Sequence, residues 1–405
     1  MFSCGVHLIS SPSSFQPDTA NNGQQARHSY LELDALRGVA AICVMLYHFS
    51  PFLSAHKLLP SAYLAVDLFF VLSGFIIAHA YGARLLDQGM GFGRFVIIRL
   101  IRLYPLYILG AALGLFYVLV RNVLMPAEAI EPAELVAPFL LTVFFIPQLG
   151  SSTALPGLYP FDLAAWSLFF ELAINFIYAA ICTVLTPYRQ RWLILLGAIG
   201  VIAAAMAYGS LDAGMTQETL AGGGARVVLS FFVGIYLYDF YRRREPIPRG
   251  PGQRRPRFMF ELLLIGLIGS FMIHPTAALR PLYDVLCVFF FFPLLIWFGA
   301  RLPSPRLLRP LYAEAGRLSY GIYILHTPLL LIVAGAYKAL FHDDPMFARP
   351  WSGLAFVAFT MLSVAIIVRV FDEPVRHRLS KLSRSWRAAP AALAQPSGVP
   401  PEGGV

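Results

Sequence analysis

Residues 62–82 read AYLAVDLFFVLSGFIIAHAYG, twenty-one positions with one formal charge, Asp67. A bilayer's hydrocarbon core is about 30 Å thick and takes about 20 mainly apolar residues of helix to cross. A helix on the surface of a soluble protein keeps a polar stripe toward water, and this run has none. Similar blocks recur at 34–53, 95–120, 135–147, 163–186, 191–209, 225–241, 258–274, 281–300, 317–341 and 351–373. The whole chain of 405 residues is 58% hydrophobic and 13% charged, with mean hydropathy +0.66. Soluble domains carry roughly 25% charged residues. The chain is therefore expected to be an all-α polytopic membrane protein.

The formal net charge is +9. Its placement argues against nucleic acid as a partner, because the arginines lie mostly in short segments between apolar blocks. These segments are 84–102, 188–191, 242–257 with seven arginines, 301–317 with four, and 376–387. Arginine-rich loops stay on the cytoplasmic side. Successive inside segments need an even number of crossings between them, yet three blocks separate 84–102 from 188–191. The block 135–147 is too short to cross, and reads as a re-entrant or interfacial piece. About ten transmembrane helices follow, with both termini cytoplasmic and 122–162 outside. Residues 1–29 are rich in Ser, Gln and Asn and lack a signal peptide's apolar core. They read as a disordered leader before a membrane domain at 30–376. Residues 377–405 read as a tail, basic and then Ala/Pro/Gly-rich. Cys4, Cys43, Cys182 and Cys287 form no CxxC or CxxH pair, so no disulfide framework, thiolate metal site or other metal site is expected.

An ionisable side chain at bilayer depth costs about 2.5–3.5 kcal/mol on insertion scales, so each asks for a reason. Arg37 and His48 are eleven residues apart in the first block. That is about three turns and a rise of about 16 Å, on one helix face. Arg99 and Arg102 share a face three residues apart, which suits either an anionic phosphate or a role in setting topology beside the lipid headgroups. His326 lies about 13 Å in from Arg317, and Glu171 about 12 Å in from the opposite side, counting 1.5 Å per residue. His48, Glu171 and His326 are thus expected at similar depth, forming a polar cavity. Asp67 is expected above them at the start of the second helix, and either it or Glu171 to orient an imidazole. Trp166 reads most simply as an interfacial aromatic.

The motifs Leu33-Asp34-Ala35-Leu36-Arg37-Gly38 through His48, Val66 to Phe75, Arg99-Leu-Ile-Arg102-Leu-Tyr-Pro105, Trp166-Ser167-Leu168-Phe169-Phe170-Glu171, Ser319-Tyr320-Gly321-Ile322-Tyr323-Ile324-Leu325-His326 and Phe371-Asp372-Glu373-Pro374 run in order through residues 31–376. This series resembles the acyltransferase 3 family of integral-membrane O-acyltransferases. The resemblance implies transfer of an acyl group from acyl-CoA, most often acetyl-CoA, to a hydroxyl of an envelope glycan or lipid-linked acceptor in the cell inner membrane. No bound cofactor is implied beyond that co-substrate. On this reading Arg37, Arg99 and Arg102 hold the donor's nucleotide. His48 acts as general base or acyl carrier, with Glu171 and His326 beside it. Asp67, Trp166, Tyr320, Tyr323 and Glu373 support the site. The alternative is a multi-pass transporter that uses the same ionisable residues. It predicts internal repeats and broken helix pairs, which the sequence does not show.

Overall fold

The computed structural model describes residues 30–392 apart from 88, 151–154, 245–257 and 303–304, with side chains described through residue 384. The leader 1–29, the arginine-bearing stretch 245–257 and the tail from 393 lie outside the described residues. Among the described residues the chain is helical with no strand. The helices are α1 (Leu31–Leu53), α2 (Ala62–Leu86), α3 (Phe92–Leu124), α4 (Pro132–Val143), α5 (Ala165–Val184), α6 (Pro187–Tyr208), α7 (Leu220–Arg243), α8 (Met259–Met272), α9 (Arg280–Gly299), α10 (Arg306–Phe341) and α11 (Trp351–Arg384).

Nine of these are long and apolar enough to cross a bilayer, and α4 and α8 are shorter. The chain is an all-α, polytopic membrane protein. Helix α4 corresponds to the short block expected not to span. Its last carbonyls are satisfied by α3, where the Tyr104 hydroxyl donates to the Val143 carbonyl at 2.9 Å and Tyr107 to that of Thr142 at 2.5 Å. Carbonyls at a helix end have no partner within the helix, so such caps let α4 stop inside the bundle. Helix α8 is held near both ends, where Glu261 accepts from the Tyr312 hydroxyl of α10 and the Phe271 carbonyl accepts from the Ser61 N–H, but it is shorter than the block that predicts it. The block 258–274 is the seventh of the ten expected spans, and its helix has only 14 residues, about 21 Å at 1.5 Å each. It stops at Met272 because Pro275 disfavours helical backbone at His274 before it.

Helices in lipid associate through close packing and interhelical hydrogen bonds, because lipid tails are as apolar as leucine. The main packed pairs are α1 with α10, α2 with α7, α6 with α7, and α3 with α10. Two glycines set the distances. A Cβ at Gly38 would lie 2.6 Å from that of Ala315, and one at Gly74 would lie 2.0 Å from the Phe231 carbonyl. The first contact draws α1 onto α10 beside Arg37, and the second draws α2 onto α7. Leu196, Met206, Leu362 and Val370 are exposed on the bundle's apolar exterior, the side that faces lipid.

Candidate active site

Helices α1, α2, α3, α5 and α10 line an open cavity of about 110 Å³. Arg37, Arg99, Arg102, Asp34 and Glu171 line it, with Ser73, Ser167, Ser319, Tyr320 and Tyr323. Three guanidiniums against two carboxylates leave the lining with a formal charge of +1. Arg37 reaches across to α10, where its Nε donates to Ser319 Oγ at 2.8 Å and its Nη2 to the Gly316 carbonyl at 2.9 Å. Its Nη2 also pairs with Asp34 at 2.9 Å. Arg99 Nη2 pairs with Glu171 Oε1 at 3.0 Å, and Ser73 Oγ donates to the same oxygen at 2.9 Å. Arg99 is buried, and its Nε has no partner. A buried donor left unpaired is costly, so it marks a place where a ligand acceptor fits. Arg102 has no salt-bridge partner among the described residues.

The two histidines meet elsewhere. His48 Nδ1 lies 3.1 Å from His326 Nε2, and the ring centroids are 4.9 Å apart. Hydrogen-bond accounting assigns both tautomers. Carbonyl oxygens only accept. His326 Nδ1 faces the Tyr323 carbonyl at 2.6 Å and the Ile322 carbonyl at 3.1 Å, so it carries the proton. His326 Nε2 is then an acceptor, toward His48 Nδ1 and the Thr327 hydroxyl at 3.2 Å. His48 Nδ1 also faces the Val44 carbonyl at 3.0 Å, which again requires its proton. Nε2 of His48 is left with its lone pair and no partner among the described residues. His326 is fully buried whereas His48 is exposed. An imidazole whose far nitrogen is held by an acceptor is a base of fixed orientation, the arrangement in which a proton can be taken and shared.

Tyr323 joins the two halves. Its hydroxyl lies 2.6 Å from Ser167 Oγ at the cavity wall, and its backbone carbonyl accepts from His326. Tyr320 also lines the cavity, and its hydroxyl donates to the Leu103 carbonyl of α3 at 2.6 Å.

Several placements differ from the sequence reading. Glu171 bonds Arg99 and Ser73 rather than an imidazole, and Asp67 pairs with Arg226. The expected depth of Glu171 is counted in from the outer end of its block. Helix α3, however, begins seven residues before Arg99, and at 33 residues it is about 50 Å long. Arg99 therefore sits well along its helix and meets Glu171 there. Trp166 is buried with its ring 5.5 Å from the Arg226 guanidinium, not spread along an interface. Glu373 lies outside the cavity, where Arg317 bridges it at 2.7 Å in a network with Glu314 and Arg369 that ties α10 to α11. Arg226 was missed. The signal was present, since an arginine inside an apolar block needs a carboxylate, and Asp67 lay in another such block. Asp162 ends the segment 122–162 that is expected outside. It is buried with Oδ2 unpartnered. Burial pushes its carboxyl well above the ordinary range, an effect partly offset by the Ala164 N–H.

A chain from Rhizobium radiobacter described as "Protein 2 in picA locus" is 39% identical over 163 residues, covering 38% of this chain and 84% of that one. The "Exopolysaccharide production protein ExoZ" of Rhizobium meliloti (strain 1021) is 25% identical over 339 residues, covering 80% of this chain and 95% of that one. No solved structure matches. The family described as "Acyltransferase domain" matches residues 30–370, and the chain belongs to this acyltransferase 3 family.

Proposed function

We propose that this acyltransferase takes an acyl group, acetyl in the simplest case, from acyl-CoA and transfers it to a hydroxyl of a cell-envelope polysaccharide or its lipid-linked precursor. The observation that carries the reading is the pairing of a cationic cavity with an oriented base. Arg37, Arg99 and Arg102 supply forked donors for the anionic nucleotide of the donor. His48 lies about 16 Å further along α1, a span an extended pantetheine arm can bridge. His48 Nε2 takes the proton of the incoming hydroxyl as its oxygen attacks the thioester carbonyl. His326 Nε2 holds the Nδ1 proton of the resulting imidazolium. The ExoZ relative is described as acting in exopolysaccharide production, which favours a polysaccharide acceptor here.

The direct test is thioester consumption by purified protein with de-O-acylated polysaccharide from the source organism. Acyl-CoA turnover is expected to depend on the polysaccharide, with hydroxylamine-labile acyl esters as product. Acyl-CoA left unconsumed with the polysaccharide present counts against the reading. Arg102→Gln is expected to raise the KM for acyl-CoA about tenfold or more, because each lost charge-assisted contact is worth about 1.5–3 kcal/mol. Arg99→Gln is expected to lower the yield of folded protein as well, since it leaves Glu171 without its cation. An unchanged KM in the Arg102 variant would return that residue to a role in topology.

We place the protein in the inner membrane with the arginine cavity on the cytoplasmic side. Cysteine introduced at Arg191 is then expected to react with an impermeant maleimide only after permeabilisation. Cysteine at Asp343, between α10 and α11, is expected to react in intact cells. The opposite labelling pattern inverts the orientation.

A further inference from the structure

His48 is exposed although its partner His326 is fully buried. Its neighbours on the exposed side are polar. Lys57 Nζ donates to the Tyr47 hydroxyl at 2.7 Å and lies 4.2 Å from the centre of that ring. The same hydroxyl lies 3.3 Å from Asp212 Oδ2, and the Tyr47 and His48 rings meet edge-on with centroids 5.0 Å apart. None of Tyr47, Lys57 and Asp212 lines the arginine cavity. His48 is five residues from the end of α1 opposite Arg37, so the group sits at the other end of the helix.

The loop that carries Asp212 is held by buried charge on both sides of that residue. Asp284, fully buried, accepts from the Leu211 N–H at 2.7 Å. Arg226, also buried, donates from Nη1 to the Ala213 carbonyl at 2.7 Å while it pairs with Asp67 at 2.7 Å. Burying such charges costs several kcal/mol per ion. Here they fix the backbone at 211 and 213, and leave the exposed Asp212 aimed at Tyr47.

We propose that Tyr47, Lys57 and Asp212 form the acceptor site, which brings a glycan hydroxyl to His48 Nε2 from the face opposite the arginine cavity. The inference rests on the acyltransferase reading above and adds which side the acceptor comes from. A carboxylate acceptor, an ammonium donor and a phenol together match the mixed donor and acceptor character of a sugar. In the transfer the sugar oxygen bonds to the acyl carbon, the carbon–sulfur bond breaks, and the hydroxyl proton goes to His48 Nε2. The departing CoA thiolate then recovers that proton, leaving an ester and a thiol.

The test uses the full-length protein in proteoliposomes, with radiolabelled acetyl-CoA and de-O-acylated polysaccharide, neither of which crosses the bilayer. Label is expected to reach polysaccharide held outside when acetyl-CoA is trapped inside, and not when both are only outside. Transfer solely in the same-side arrangement overturns the site and leaves the enzyme assignment standing. Failure in detergent, where both substrates mix, removes the enzyme reading and this site with it. Asp212→Asn and Lys57→Gln are each expected to raise the KM for polysaccharide about tenfold, with the KM for acetyl-CoA within about twofold of the original. A change confined to the acetyl-CoA KM overturns the assignment.

Discussion

Replacing His48 with Ala is expected to lower turnover per folded protein by about 10²-fold or more, with expression and membrane insertion intact, because a positioned general base typically contributes about 10²–10⁴-fold. Nε2 of His48 is the one ring nitrogen of the pair that carries a lone pair and has no partner among the described residues. His326→Ala removes the acceptor on Nδ1 and is expected to lower turnover less than loss of the base does. Its imidazole orients the base and does not touch the hydroxyl. His79→Ala is the control, since that ring lies 3.4 Å from the Tyr238 hydroxyl on α7 and does not line the cavity. A structural role for His48 gives another outcome, in which activity survives or falls together with folding. Similar turnover in the His48 and His79 variants would remove His48 from the chemistry.

How far the sequence carries depends on which physical rule applies. The bundle is legible because spanning lipid demands long apolar helices, and these appear as blocks with few charges. Helix α4 was legible as a short piece because arginine placement required an even number of crossings and its block was too short to span. Helix α8 was not, because hydropathy does not register where Pro275 stops a helix. Within the site, the shared face of Arg37 and His48 followed from 3.6-residue periodicity. The contact between His48 and His326 did not, because it depends on the approach of α1 to α10 at Gly38. Depth arguments grouped Glu171 with the histidines, but the length of α3 carries Arg99 to Glu171 instead. Tyr47 and Asp212 carried no signal at all, since a loop aspartate and a helix-end tyrosine are ordinary on any surface. Only the buried charges that flank Asp212 set it apart.

Those charges give the second large effect. Asp67→Leu alone is expected to destabilise the protein by about 3–5 kcal/mol, because it leaves Arg226 buried without its carboxylate. Arg226→Leu is expected to do the same from the other side. Loss of monodisperse protein in size-exclusion chromatography, and a lower melting temperature, would register both. The double variant Asp67→Leu/Arg226→Met removes both charges. Replacing a buried ion pair with apolar groups is often neutral or stabilising, so protein yield is expected to recover. Its activity is expected to stay impaired. Arg226 also donates to the carbonyls of Ala213 and Tyr63, and without it the backbone beside Asp212 loses one of its two anchors. The anchor at Leu211 depends on Asp284, which Tyr63 holds through both carboxylate oxygens at 2.8 and 2.9 Å. A double variant that folds, keeps its KM for acyl-CoA and has a raised KM for polysaccharide is therefore the expected result. Full recovery of transfer along with stability would show that the pair only holds α2 to α7, and that the position of Asp212 does not matter to the reaction.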